Sequence, residues 1–72
     1  MKISYDQEVD AMYIKLLDGD FECRNVLLTD EISLDFGPSE ELVGIEILDA
    51  TRVIGQGKLP QLVVDHLAVV AA

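Results

Sequence analysis

Apolar and polar residues alternate along this chain in short runs, and this alternation limits the folds open to it. Residues 31–36 alternate cleanly, with an apolar side chain at every second position. Successive side chains of a strand point to opposite faces of a sheet, so such runs predict half-buried antiparallel strands. Residues 42–50 form a similar run, with Val43, Ile45 and Ile47 on one face and Leu42, Gly44, Glu46 and Leu48 on the other.

The alternating runs predict a sheet of about four antiparallel strands in two hairpins. A short polar turn joins the first two runs. A turn containing Gly37 and Pro38, residues that resist strand continuation, joins the last two. Residues 21–30 are ambiguous between a short strand and an irregular crossing. The four predicted strands are residues 2–5, 11–17, 31–36 and 42–50.

The pattern changes near the C-terminus, where apolar residues recur at spacings of three and four. Such spacing predicts a C-terminal helix over about residues 59–70 with one apolar stripe. Pro60 suits the first turn of this helix. We expect the stripe to pack on one face of the sheet, which gives a single α+β domain over residues 1–72. The stripe consists of Leu59, Leu62, Val63, His66, Leu67 and Val70.

The chain has few means of stabilising a small core. It has 72 residues, which predicts one domain, and a core of this size supplies about 3–5 kcal/mol. Cys23 is the only cysteine, which excludes an intramolecular disulfide, and one cysteine with one histidine cannot form a structural zinc site. Because half the residues are apolar, we expect self-association, most simply as a homodimer.

Charge narrows the classes of partner. Fourteen acids against five scattered bases give a net charge of −9. Nucleic acid and anionic membrane surfaces repel such a chain, so neither is an expected partner. A basic protein would be attracted. The absence of a secretory leader and of a long apolar run, together with the lone cysteine, predicts a cytoplasmic protein.

Two stretches resemble the signatures of a known family. Residues 5–14 resemble its opening signature, a Tyr-Asp pair, a three-residue gap and Asp-Ala-x-Tyr-Ile. Residues 43–51 resemble its closing signature, Gly-Ile-Glu-Ile-Leu followed by small residues, with Thr51 where Ser is common. The family is a small bacterial and archaeal one catalogued as domain of unknown function 2283, and the signatures bracket about residues 3–51. The resemblance implies a compact domain of antiparallel strands, and it implies no catalytic residue, cofactor or substrate.

Three side chains are candidates for chemistry. Tyr13, Asp35 and Glu46 are predicted to share one sheet face, where two carboxylates and a phenol could form an acid–base or metal site. The alternative is a half-solvated face on which Lys15 or Arg52 pairs an acid across strands. We favour this alternative because an enzyme also needs a pocket, which a chain of this size forms poorly. No catalytic, cofactor-binding or metal-binding residue is therefore assigned.

Three functions remain open from the sequence. The leading hypothesis is a non-enzymatic protein-interaction module with a basic partner, such as the other half of a two-gene pair. The second is a small enzyme or metal-dependent hydrolase in which Glu46 and Asp35 of two subunits converge. The third is a homo-oligomeric structural or regulatory protein. Whether the acidic loops, residues 6–10 and 18–22, bind cations stays open.

Overall fold

A computed structural model describes residues 1–65 and residue 68 of the chain. Its core element is one antiparallel sheet, which is followed by a short helix, and the predicted α+β class is therefore confirmed. The sheet has five strands rather than about four. The elements are β1 (Lys2–Asp6), β2 (Ala11–Lys15), β3 (Arg24–Leu27), β4 (Ile32–Phe36), β5 (Leu42–Ile47) and α1 (Ala50–Val53).

The strands lie in the order β1-β2-β5-β4-β3, with every neighbouring pair antiparallel. Both predicted hairpins are present, as β1–β2 and β4–β5. The additional strand β3 arises from the ambiguous stretch of residues 21–30, and it pairs with β4 so that Val26 lies opposite Leu34. This pairing makes β3 one of the two edge strands.

A register shift in the β4–β5 pair corrects one part of the sequence-based assignment. The shift lies between Asp35 and Phe36, so Leu42 pairs with Phe36 whereas Gly44 pairs with Asp35. Directly paired residues share a face of the sheet. Leu42 therefore lies on the face of Phe36, and the prediction that it flanks Glu46 is wrong.

The pairing register divides the strand residues between two faces. Of the side chains on the first face, which we call the apolar face, only Val43 and Ile47 are buried, at 3% and 6% exposure. The opposite face, which we call the polar face, carries Lys2, Ser4, Asp6, Ala11, Tyr13, Lys15, Asn25, Leu27, Ser33, Asp35, Gly44 and Glu46. The apolar face consists of Ile3, Tyr5, Met12, Ile14, Arg24, Val26, Ile32, Leu34, Phe36, Leu42, Val43, Ile45 and Ile47.

The helix lies at a different place from the predicted one. Helix α1 is a single turn at Ala50–Val53, and no helix in the described part of the chain is long and apolar enough to cross a membrane. The predicted helix at about residues 59–70 is not formed in residues 59–65, where Val63 is 89% exposed. Valine disfavours a helix that lacks a docking partner. The remaining predicted helical positions, apart from residue 68, lie outside the described residues.

Candidate functional site

Two of the three candidate side chains meet on the polar face. The Tyr13 hydroxyl on β2 donates a hydrogen bond to Asp35 Oδ2 on β4, at 2.9 Å. Strand β5 lies between them, and the tyrosine crosses it at Gly44. A Cβ at Gly44 would overlap the Tyr13 hydroxyl and lie 2.5 Å from Tyr13 Cζ. Glycine is therefore needed at this position because the aromatic side chain passes directly over the backbone.

A fourth strand joins this network through Asn25, which sequence reasoning missed. The Asn25 amide Nδ2 on β3 donates to Asp35 Oδ1, at 2.9 Å. The polar contacts thus run from β2 over β5 to β4 and β3. Gly44, in the interior of β5, was an available signal for a close approach. Asn25 had no comparable signal because its strand could not be assigned from the sequence.

The environment of Tyr13 determines what its hydroxyl can do. The pKa of Tyr13 is raised to about 12, first by burial and then by the hydrogen bond to Asp35 and the charge of that carboxylate. A phenol with such a pKa keeps its proton at neutral pH, so it acts as a hydrogen-bond donor rather than as a base. The contact between Tyr13 and Asp35 therefore ties β2 to β4.

Glu46, the third candidate, is exposed on the same face. It lies opposite Tyr13 on one side and Ser33 on the other. A shallow groove of about 260 Å³ borders it, lined also by Ser4 and Ala11. Among residues 1–65 and 68, no three histidine, cysteine or acidic side chains group closely enough to hold a metal ion.

A second polar network is centred on Asp10, in the turn between β1 and β2. Asp10 Oδ1 accepts hydrogen bonds from the Tyr5 hydroxyl at 2.6 Å and from Thr51 Oγ1 at 2.8 Å. The Thr51 backbone N–H also donates to the carboxylate, at 3.1 Å to each oxygen. The Ala50 N–H donates to the Asp10 carbonyl oxygen at 2.9 Å. Asp10 thus clamps the start of α1 to the first hairpin.

This Asp10 clamp gives the two family-like signatures a structural role. Tyr5 and Asp10 come from the opening signature and Thr51 from the closing one. Serine and threonine both supply the hydroxyl that donates to Asp10, so either residue type fits position 51. The hydrogen bonds from Tyr5 and Thr51 lower the pKa of Asp10, and the bond to Asp10 raises the pKa of Tyr5. Asp10 has a φ of 52°, a left-handed conformation that aspartate tolerates.

Acidic side chains outside these two networks form a local turn contact and ion pairs. Asp6 Oδ1 accepts a hydrogen bond from the Glu8 backbone N–H at 3.0 Å, a local turn contact. Arg52 makes ion pairs with Asp49 and Glu31, at 2.6 Å each. Because all of these side chains are substantially exposed, we expect the ion pairs to add little stability.

The apolar face is covered only in part. Ile3 is 39% exposed, and most of the other side chains on this face are only partly covered. Residues 59–62 pass over the side of β1 and β2 and leave a groove of about 520 Å³ between themselves and the sheet. This groove is lined by Ile3, Tyr5, Gln7, Met12, Ile14, Ile54, Leu59, Pro60, Gln61 and Leu62.

Charge is nearly absent from the apolar face. Among the described strand positions, Arg24 is the one charged residue that lies there. Its guanidinium lies over the Phe36 ring, at 5.3 Å from the centroid, and makes an ion pair with Glu40 at 2.5 Å. The apolar face therefore presents aliphatic and aromatic surface with one cation that is already paired.

Comparison with known proteins gives one match. A family model described as a protein of unknown function, DUF2283, matches residues 2–50. That range includes all five strands and ends at the first residue of α1. No curated protein and no solved structure matches the chain.

Proposed function

We propose that this chain, which belongs to the DUF2283 family of proteins of unknown function, is a non-enzymatic protein-interaction module that works through its apolar face. The observation that carries the proposal is that all five strands contribute to this face, yet only Val43 and Ile47 on it are buried. A sheet needs a second layer to cover its apolar side. Contiguous apolar surface that stays uncovered marks a site of protein interaction.

The chemistry of the polar face favours binding over catalysis. The raised pKa of Tyr13 and its hydrogen bond to Asp35 make that pair a structural tie. The partner is a second copy of the chain or a basic protein, which the net charge of −9 would attract. We place the module in the cytoplasm, since its exposed Cys23 suits a reducing compartment.

Site-specific photo-crosslinking in cells that naturally produce the full chain tests this proposal. Benzoylphenylalanine replaces Ile3, which lies on the apolar face at the sheet edge, or its neighbour Ser4, which lies on the polar face. We expect discrete protein crosslinks from position 3 and few from position 4. Equal crosslinking from both positions, or crosslinks from position 4 alone, would show that the apolar face is not the working surface.

A further inference from the structure

We infer that the occupant of the apolar face is a second copy of this chain, so that two sheets pack face to face as a sandwich. This inference rests on the proposed function and names its partner. Sheets that pack face to face lie about 10 Å apart, with their inner side chains interdigitated. In such a dimer, the second sheet replaces the layer that a single chain lacks.

The exposed area of the chain is large enough for such an interface. The chain exposes 5689 Å², whereas a compact monomer of 7.9 kDa exposes about 4,400 Å². One partner of a standard interface contributes about 800 Å². This excess of about 1,300 Å² is larger than that contribution; it is summed over the whole chain and includes residues 59–65, which form neither helix nor strand.

The small buried core supports the same conclusion. Among residues 1–65 and 68, the buried apolar side chains are Val43, Ile47 and Ala50, at 3%, 6% and 0% exposure. These three residues come from β5 and α1. The apolar side chains of β1, β2, β3 and β4 are at most partly covered. Burying them against an identical face would extend one small cluster into a continuous two-layer core.

The distribution of charge makes the apolar face complementary to itself. A two-fold dimer brings the same patch of both subunits together. Arg24 is the charged strand residue on this face, and it keeps its ion pair with Glu40 of the same chain in the dimer. The five charged strand residues of the polar face point away from the interface, so dimer formation buries none of their charges. These residues are Lys2, Asp6, Lys15, Asp35 and Glu46.

The net charge gives this dimer a distinctive response to salt. Each subunit carries −9, so the acidic loops at the rim of the sandwich repel one another. Raising NaCl from 0.1 to 1 M shortens the screening length from about 10 Å to about 3 Å. We therefore expect the dissociation constant of the dimer to fall about tenfold or more over this range. A complex with a basic protein responds in the opposite direction.

Sedimentation equilibrium of the purified full chain at both salt concentrations tests the inference. We expect a monomer–dimer equilibrium that tightens with salt. Ile3→Asp should weaken it about 100-fold or more, because the new carboxylate is buried without a partner. Ser4→Asp adds the same charge on the opposite face and should change the dimer dissociation constant less than about threefold, the size of a remote charge effect. Circular dichroism establishes that both variants are folded.

The outcomes separate this inference from the proposed function. A wild-type chain that remains monomeric at both salt concentrations overturns the inference that the occupant is a second copy. This result does not depend on any variant. Equal weakening by Ile3→Asp and Ser4→Asp overturns the face-to-face geometry. If position 3 gives specific crosslinks in cells but the purified chain is monomeric, the proposed interaction module stands and the inferred dimer fails. The apolar face then binds a different protein.

Discussion

Replacing Gly44 with alanine is expected to destabilise the protein by about 1–2 kcal/mol. The new Cβ would lie 2.5 Å from Tyr13 Cζ and 3.1 Å from the Ile14 carbonyl oxygen, so the tyrosine ring must move off β5. Losing the hydrogen bond to Asp35 costs about 0.5–1.5 kcal/mol. A strained rotamer of Tyr13 costs about 0.5–1.5 kcal/mol more. The lower backbone entropy of alanine offsets about 0.5–1 kcal/mol of this cost.

A double-mutant cycle isolates the clash from other effects of the substitution. Urea unfolding followed by circular dichroism, at one fixed protein concentration, gives the free energy of unfolding for each variant. In a Tyr13→Ala background no ring crosses Gly44 and only the 3.1 Å approach to the Ile14 carbonyl oxygen remains, so Gly44→Ala should cost less there than in the wild type. An equal loss of unfolding free energy in both backgrounds would refute the reasoning that glycine is needed at position 44 because the Tyr13 side chain crosses the backbone there.

Two further predictions concern the polar networks. Asp10→Asn should lower the thermal midpoint more than the control Asp18→Asn, because Asp10 accepts hydrogen bonds from Tyr5 and Thr51 whereas Asp18 is 97% exposed. Since the folded-state pKa of Asp10 is lowered, the Asp10 carboxylate stabilises the fold above the unfolded carboxyl pKa of about 3.9, and this stabilisation is lost as the pH falls through the folded value. Thermal melts of the Asp10→Asn and Asp18→Asn variants should therefore show the difference between their midpoints shrinking at acid pH. A constant difference would contradict the lowered pKa of Asp10. The pKa of Tyr13 is raised to about 12, so the stabilisation by the neutral Tyr13 phenol is complete below the unfolded pKa of about 10 and is lost as the pH rises through the folded value. Ultraviolet titration of a Tyr5→Phe variant, in which Tyr13 is the remaining tyrosine, should show one late-titrating phenol. Titration of this phenol near pH 10 would argue against the burial of Tyr13.

The strands and their faces could be predicted because the period-two pattern is local. Alternation in residues 31–36 identified β4, and the same pattern placed Tyr13, Asp35 and Glu46 on one face. Strand β3 could not be assigned because it is short, lies at an edge and covers only Val26 in part. The register shift that moves Leu42 depends on pairing with Phe36, which the sequence does not specify.

The helix and the Asp10 clamp were harder to predict for different physical reasons. Spacing of three and four over residues 59–70 predicts a helix only where its apolar stripe packs on a surface. In residues 59–65, Leu62 and Val63 of this stripe stay exposed, at 66% and 89%. The clamp joins Asp10 to Thr51, 41 residues apart, and no local pattern reports such a contact. The two family-like signatures contained both residues, but resemblance alone did not indicate that they touch.

The most direct test of the central claim is to observe contacts between two copies of the apolar face. A dimer mixed from isotope-labelled and unlabelled chains, studied by isotope-filtered nuclear Overhauser spectroscopy in 1 M NaCl, reports only contacts between subunits. We expect intermolecular signals from methyl groups of Ile3, Ile14 and Leu34, and none from Leu27 on the polar face. Intermolecular signals from Leu27 alone, or no such signals from a chain that is folded and monomeric, would contradict the account.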